Sequence, residues 1–201
     1  MIFEEKTLAS EMIYEGRILN LRRDKVTTRA GESYREIVEH NGGVVIIAIT
    51  PEGKVPMVRQ FRKAAEAAVL EVPAGKLEFG EDPAAAALRE LREETGYSAA
   101  RIRELSASYS SIGYSTEVLR IYLAQDLTAG ETDFDPAEAI DVVEYTPGEL
   151  YAMAIAGELH DLKTITAVLL VHELMKTEEA RGAVCGAGSG ADMGAAEDDR
   201  L

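Results

Sequence analysis

The segment Asp82 to Gly96 constrains the fold most, because both ends of a helix are written into it. Asp82 supplies an N-cap acceptor for backbone N–H groups that have no partner inside the helix. Pro83 presets φ at the first position, where no donor is needed, and four alanines then propagate the helix with no side-chain entropy loss. Gly96 supplies a left-handed C-terminal cap. The spacing predicts a helix over Pro83 to Thr95. At about 100° per residue, Ala84, Ala87, Leu88 and Leu91 form one apolar face. On another side Glu94 lies about 40° from Glu90, and Glu93 about 60° from it in the opposite sense.

Like charges at this spacing cost roughly 0.2–0.5 kcal/mol per pair, so the three glutamates do not serve helix stability. Two readings follow from the helix alone. One is an ordinary charged face in solvent. The other is a site for a hard divalent cation, which reverses the sign of the repulsion. Oxygen-only donors with no histidine or cysteine nearby favour Mg²⁺ or Mn²⁺, ions that keep water ligands and bridge to substrate phosphates. Arg89 stands four residues before Glu93 and can orient that carboxylate.

The rest of the chain reads as mixed strands and helices. Residues from about Met12 to Glu39 alternate loosely, with Ala30-Gly31 as a turn, and predict an N-terminal antiparallel unit. Val44 to Ile49 is a β-branched run too short for a typical helix and bounded by Gly42-Gly43 and Pro51-Glu52-Gly53, which predicts a buried strand in a hairpin with Val55 to Arg62. Pro56 marks the second strand as irregular or at an edge near its start. Further strands are predicted at Arg101 to Tyr109, Val118 to Ala124 and Asp141 to Tyr145, and helices at Pro147 to Ala156 and Asp161 to Lys176. Thr146 and Glu149 form a capping box, and Asp161 caps the last helix. Strands interspersed with few helices imply an α+β fold.

Lys+Arg 21 against Asp+Glu 36 gives a formal charge of −15, which disfavours nucleic acid as a partner. The excess is uneven: Glu131, Asp133, Asp135, Glu138, Asp141, Glu144 and Glu149 follow one another with no Lys or Arg between, a segment that either repels anions or holds cations. The single Cys185 makes no internal disulfide, and His40, His160 and His172 do not stand at zinc-ligand spacing with it. No apolar stretch approaches a membrane span and the acidic N-terminus does not resemble a secretory signal, so the expectation is a soluble cytoplasmic protein without membrane association. Residues 178–201 are expected to be a flexible Gly/Ala/Asp-rich tail; the glycine run 186–190 has neither a preceding strand nor a following apolar helix, as a phosphate loop requires.

Gly75, five residues, Glu81, seven residues, Arg89-Glu90-Leu91, one residue, Glu93-Glu94, one residue, Gly96-Tyr97 matches the Nudix box in full. The chain thus resembles the Nudix hydrolases from about Glu4 to Lys176. Arg59-Gln60-Phe61-Arg62 and Glu71-Val72-Pro73-Ala74-Gly75 are similar to the ADP-ribose pyrophosphatases in particular. The resemblance implies an α/β/α sandwich around a mixed central sheet (41–177), preceded by the small N-terminal β unit (1–40).

It also implies roles. Glu90, Glu94 and the carbonyl of Ala74 match the family's metal ligands, with Glu93 as a further ligand or catalytic helper and Gly75 permitting close approach of the chain to the ion. Arg62 matches a substrate-directed arginine, and Arg59 either assists it or is a surface residue. Ser110 to Glu117 resembles the loop that holds the terminal ribose, making Glu117 a candidate for hydroxyl recognition, although Ile112 replaces the usual proline. In the acidic segment Glu138 aligns with the mobile-loop carboxylate that acts on water, with Asp135 as a neighbouring candidate, since Pro136 stands where the family has a glutamate. The N-terminal strands imply a homodimer to which Tyr34 and Arg35 contribute.

The activity implied is Mg²⁺- or Mn²⁺-dependent hydrolysis of a nucleoside diphosphate sugar, ADP-ribose to AMP and ribose 5-phosphate. The alternatives are another nucleotide sugar, a dinucleotide such as NADH or FAD, a damaged nucleotide, or a sensor that binds ADP-ribose without cleaving it.

Overall fold

The computed structural model describes residues 2–134 and 139–186, with side chains described as far as Thr177. In chain order the elements are β1 (Thr7–Glu15), β2 (Asn20–Thr28), β3 (Gly31–Glu39), β4 (Gly43–Ala48), β5 (Val55–Arg62), β6 (Ala67–Glu71), β7 (Ala74–Lys76), α1 (Pro83–Thr95), β8 (Tyr97–Tyr109), β9 (Val118–Ala129), β10 (Ile140–Tyr145), α2 (Pro147–Ala156) and α3 (Leu162–Gly186).

Every residue of β4 is buried, as its uninterrupted apolar run requires. It pairs antiparallel with β7 and parallel with β9, and β9 pairs antiparallel with β8, giving a mixed sheet ordered β7-β4-β9-β8. Side chains alternate along β4 into two cores. Val44, Ile46 and Ala48 pack with Ala86, Ala87 and Leu91 of α1 on one face. Val45 and Ile47 pack on the other with Val55, Met57 and Leu150, and with Ala167, Val168 and Val171 of α3. The fold is therefore α+β, a helix-covered mixed sheet with an N-terminal antiparallel sheet β1-β2-β3.

The hairpin expected between the Val44 run and Val55 to Arg62 does not form. The turn itself is present: Gly53 N–H donates to the Thr50 carbonyl at 2.9 Å and Thr50 N–H to that of Lys54 at 2.8 Å. It transfers the chain between sheets, because β5 pairs with β10 and β6 instead. A turn signal specifies a reversal of direction, not the hydrogen-bonding partner. A strand apolar at every position is best satisfied with both edges paired and both faces covered. Pro56 behaves as expected, since β6 joins β5 only from Val58 onward and leaves β10 as the neighbour at Pro56.

The helix expected to stop at Lys176 continues to Gly186. Residues 187–201 lie outside the described residues.

Candidate active site

Helix α1 forms with the expected boundaries. Asp82 Oδ1 accepts the Ala85 N–H at 2.9 Å. Gly96 adopts φ 76° and donates its N–H to the Arg92 carbonyl at 2.8 Å. Ala86, Ala87 and Leu91 are fully buried, anchoring the helix on β4, while Leu88 is only half-buried.

The opposite side is not a charged face in solvent. Glu94 is 6% exposed, and its Oε2 accepts the Ala74 N–H at 3.1 Å. The Glu90 side chain is 14% exposed and packs on Gly75, where a Cβ would lie 1.9 Å from Glu90 Cδ and Oε1. The close approach allowed by Gly75 is thus to a carboxylate.

Arg89 organises this end of the helix. Its Nη1 donates to Glu90 Oε1 at 2.8 Å and to Glu93 Oε2 at 2.9 Å, and its Nε to Glu81 Oε1 at 3.1 Å. Glu81 Oε2 also accepts the Glu78 N–H at 3.0 Å, so Glu81 braces the loop against the helix. The Arg89 guanidinium is held well above its ordinary range, first by the Glu81 hydrogen bond and then, against burial, by Glu90 and Glu93. The Glu81 carboxyl is lowered by Arg89 and by the Glu78 N–H.

Among the described residues no group of three or more His, Cys, Asp or Glu side chains is placed to hold a metal ion. Glu90 and Glu94 line one cleft with Ala74, an open set of hard oxygens made of two carboxylates and a backbone carbonyl. Such a set fits a divalent cation that keeps waters and shares ligands with a phosphate.

A cleft of about 780 Å³ brings together Ala74, Glu90, Glu94, Arg62 and Glu117. Glu93 lines an adjoining cleft with Glu90 and Glu94. Its backbone carbonyl accepts the Asp133 N–H at 2.9 Å, which ties the start of the acidic segment to α1. Glu138 and Asp135 lie outside the described residues.

Glu117 Oε1 is 3.3 Å from His40 Nδ1, and that nitrogen accepts the Gly42 N–H at 3.0 Å. Two expected residues do not reach the cleft. Arg59 is exposed on the face of β5 opposite Gln60 and Arg62, because strand side chains alternate. Arg35 donates its Nε–H to Glu5 Oε2 at 2.9 Å within the N-terminal sheet.

Arg62 is gripped from behind by Glu71, whose side chain is 2% exposed: Nε donates to Oε1 at 2.6 Å and Nη2 to Oε2 at 2.8 Å. Lys163 binds the same carboxylate from the start of α3. Sequence reasoning missed Glu71 and Lys163. They are 92 positions apart, and no local pattern signals their pairing.

Residues 39–168 match the NUDIX domain, on the same residues that build this site. The chain belongs to the Nudix family. Residues 5–34 also match the nucleoside diphosphate sugar hydrolase N-terminal domain. A Nudix relative, the ADP-ribose pyrophosphatase of Bacillus subtilis (strain 168), is 42% identical over 168 residues, covering 82% of this chain and 91% of that protein. The methanol dehydrogenase activator of Bacillus methanolicus is 42% identical over 180 residues, covering 87% and 97%. A crystal structure of an ADP compounds hydrolase superposes with a TM-score of 0.78 at 21% identity, covering 89% of this chain and 97% of that one, and shares the Nudix fold. Nudix hydrolases generally use a divalent metal. No helix among the described residues is long and apolar enough to cross a membrane.

Proposed function

We propose that this Nudix enzyme hydrolyses the pyrophosphate of a nucleoside diphosphate sugar, with ADP-ribose as its preferred substrate and AMP and ribose 5-phosphate as products. The observation that carries the reading is the cleft that places Glu90 and Glu94 beside Arg62 and Glu117. It combines hard oxygen donors with a cation suited to an anion and a carboxylate suited to hydroxyl groups. Relatives named ADP-ribose pyrophosphatase favour this sugar over others.

Glu90, Glu94 and the Ala74 carbonyl would hold Mg²⁺, or Mn²⁺ in its place. Such a cation, when bound, polarises phosphoryl oxygens and acidifies water. Arg62 binds the diphosphate bidentately, a match of planar fork to phosphate that lysine does not reproduce. Glu117 orients the terminal ribose through its hydroxyls. Glu93, or Glu138 from the acidic segment, takes the proton from the attacking water.

A homodimer is part of the reading. Strand β1 is exposed along its whole length, including Leu8, Met12, Ile13 and Tyr14, an apolar surface that a second copy would cover. Arg35 would reach a substrate only across such an interface. The lone cysteine suits a reducing cytoplasm.

The test is a side-by-side comparison of kcat/KM for ADP-ribose, ADP-glucose, NADH and FAD with Mg²⁺. The highest value is expected for ADP-ribose. A higher value for another substrate would reassign the sugar or base, and tight ADP-ribose binding without turnover would make the chain a sensor.

A further inference from the structure

Glu71 is buried, and both cations that hold it line the cleft. Oxygens of this one carboxylate accept two N–H groups of Arg62 and one of Lys163. Lys163 donates a second N–H to Asp161 Oδ2 at 2.8 Å. Asp161 in turn accepts from Thr164 N at 3.1 Å and Thr164 Oγ1 at 2.6 Å. Thr164 Oγ1 accepts the Val72 N–H at 3.0 Å, so the first turn of α3 and the chain leaving β6 fix the cluster in place.

A carboxylate this deep is costly to bury, and a hydrophobic pair would fill the same space without that cost. Two carboxylates against two cations also cancel in charge, so the cluster does not gather anions by its net field. What it supplies is direction. An ammonium has three N–H donors; Lys163 engages two of them on Glu71 and Asp161, and among the described residues the third has no acceptor. Nη1 of Arg62 likewise makes no bond to Glu71. Arg62 and Lys163 line the same cleft as Glu90 and Glu94, and the Arg62 guanidinium is raised above its ordinary range first by its Glu71 hydrogen bond, against burial.

We propose that Lys163 donates a hydrogen bond to a phosphate oxygen of the substrate alongside Arg62, and that Glu71 is the positioning residue that holds the two cations as one pair. This rests on the reading of the cleft as a nucleoside diphosphate site. A single carboxylate spanning both cations fixes their separation, which is what a diphosphate with oxygens on adjacent phosphorus atoms requires.

Calorimetric binding of ADP and of adenosine needs no turnover and so separates this proposal from the reaction. In Lys163→Met, ADP is expected to bind about tenfold or more weakly while adenosine is unaffected, with Lys163→Arg recovering most of the loss. Glu71→Gln should weaken ADP binding similarly, and the double variant K163M/E71Q should be no weaker than the poorer single variant. Wild-type ADP affinity in K163M, or equal losses for ADP and adenosine, would overturn the proposal even if the enzyme turns over ADP-ribose. A selective ADP loss would uphold it even if the preferred sugar proves different. Should K163M not fold, wild-type protein decides: ADP is expected to slow reductive methylation of the Lys163 amine, and an unchanged rate would overturn the proposal.

Discussion

Gly75 and Glu90 occupy what would be the same space: a Cβ on Gly75 would sit 1.9 Å from the Glu90 carboxyl carbon and 2.4 Å from its farther oxygen. The glycine is thus required by the side chain it faces, not by a left-handed backbone. Gly75→Ala must displace the Glu90 carboxylate from beside Ala74. Turnover is expected to fall about a hundredfold, with the Mg²⁺ concentration for half-maximal rate shifted upward, because a misplaced ligand is the kind of small displacement that costs that much. Metal titrations of kcat check this, and an unchanged titration would mean that Glu90 holds no metal.

Glu94 is buried against the Ala74 N–H, so Glu94→Gln retains an acceptor of the same shape and removes only the charge. The expected outcome is a loss of turnover of about a hundredfold or more with a melting temperature within a few degrees of wild type. Thermal unfolding followed beside activity distinguishes this from a structural role, for which both would fall together.

The legible part of the molecule was the part whose signals are local. Asp82, Pro83 and Gly96 mark α1 because caps act within one turn, and the Nudix box marks the carboxylates that line the cleft, Glu90 and Glu94, because they share that helix. Partnership was not legible. The Val44 run announced a buried strand, yet its partners in β9 and β7, Arg120 and Gly75 opposite Val44, come from 76 and 31 positions downstream. Strands β6 and β7, of five and three residues, carry too little alternation to be seen. Arg62 matched a substrate-directed arginine while Arg59 was left as either its helper or a surface residue, and the register of β5 decides between these by turning Arg62 and Gln60, but not Arg59, into the cleft. The Arg62–Glu71–Lys163 cluster depends on the packing of α3 against the β5–β6 hairpin, which no spacing records.

Arg89 serves three carboxylates with one planar fork. Arg89→Lys keeps the charge but not the geometry, since an ammonium is a point charge on a flexible stem. About a tenfold fall in kcat/KM is expected, with little change in stability because the group is partly exposed. Steady-state kinetics and thermal melts on the same preparation check both halves.

Burial pushes the Glu71 carboxyl up, but Arg62 and Lys163 outweigh it, and its net shift is downward from 4.5. A group whose folded value is lowered contributes stability that is present above its unfolded value and lost as pH falls through the folded one. Urea midpoints should therefore hold steady above about pH 5 and decline below pH 4.5. In Glu71→Gln the midpoint is lower at neutral pH and its acid decline shallower. Parallel declines in the two proteins would show that Glu71 does not titrate in this window.

The central claim is that the Glu90 and Glu94 end of the cleft directs metal-dependent cleavage of a nucleoside diphosphate sugar. Its most direct measurement is release of AMP from ADP-ribose by purified protein with Mg²⁺, with Mn²⁺, and with excess EDTA. AMP and ribose 5-phosphate in equal amounts with either metal, abolished by EDTA and restored by re-addition, is the expected result. Release that persists undiminished in EDTA, or no monophosphate under any of the three conditions, would contradict it.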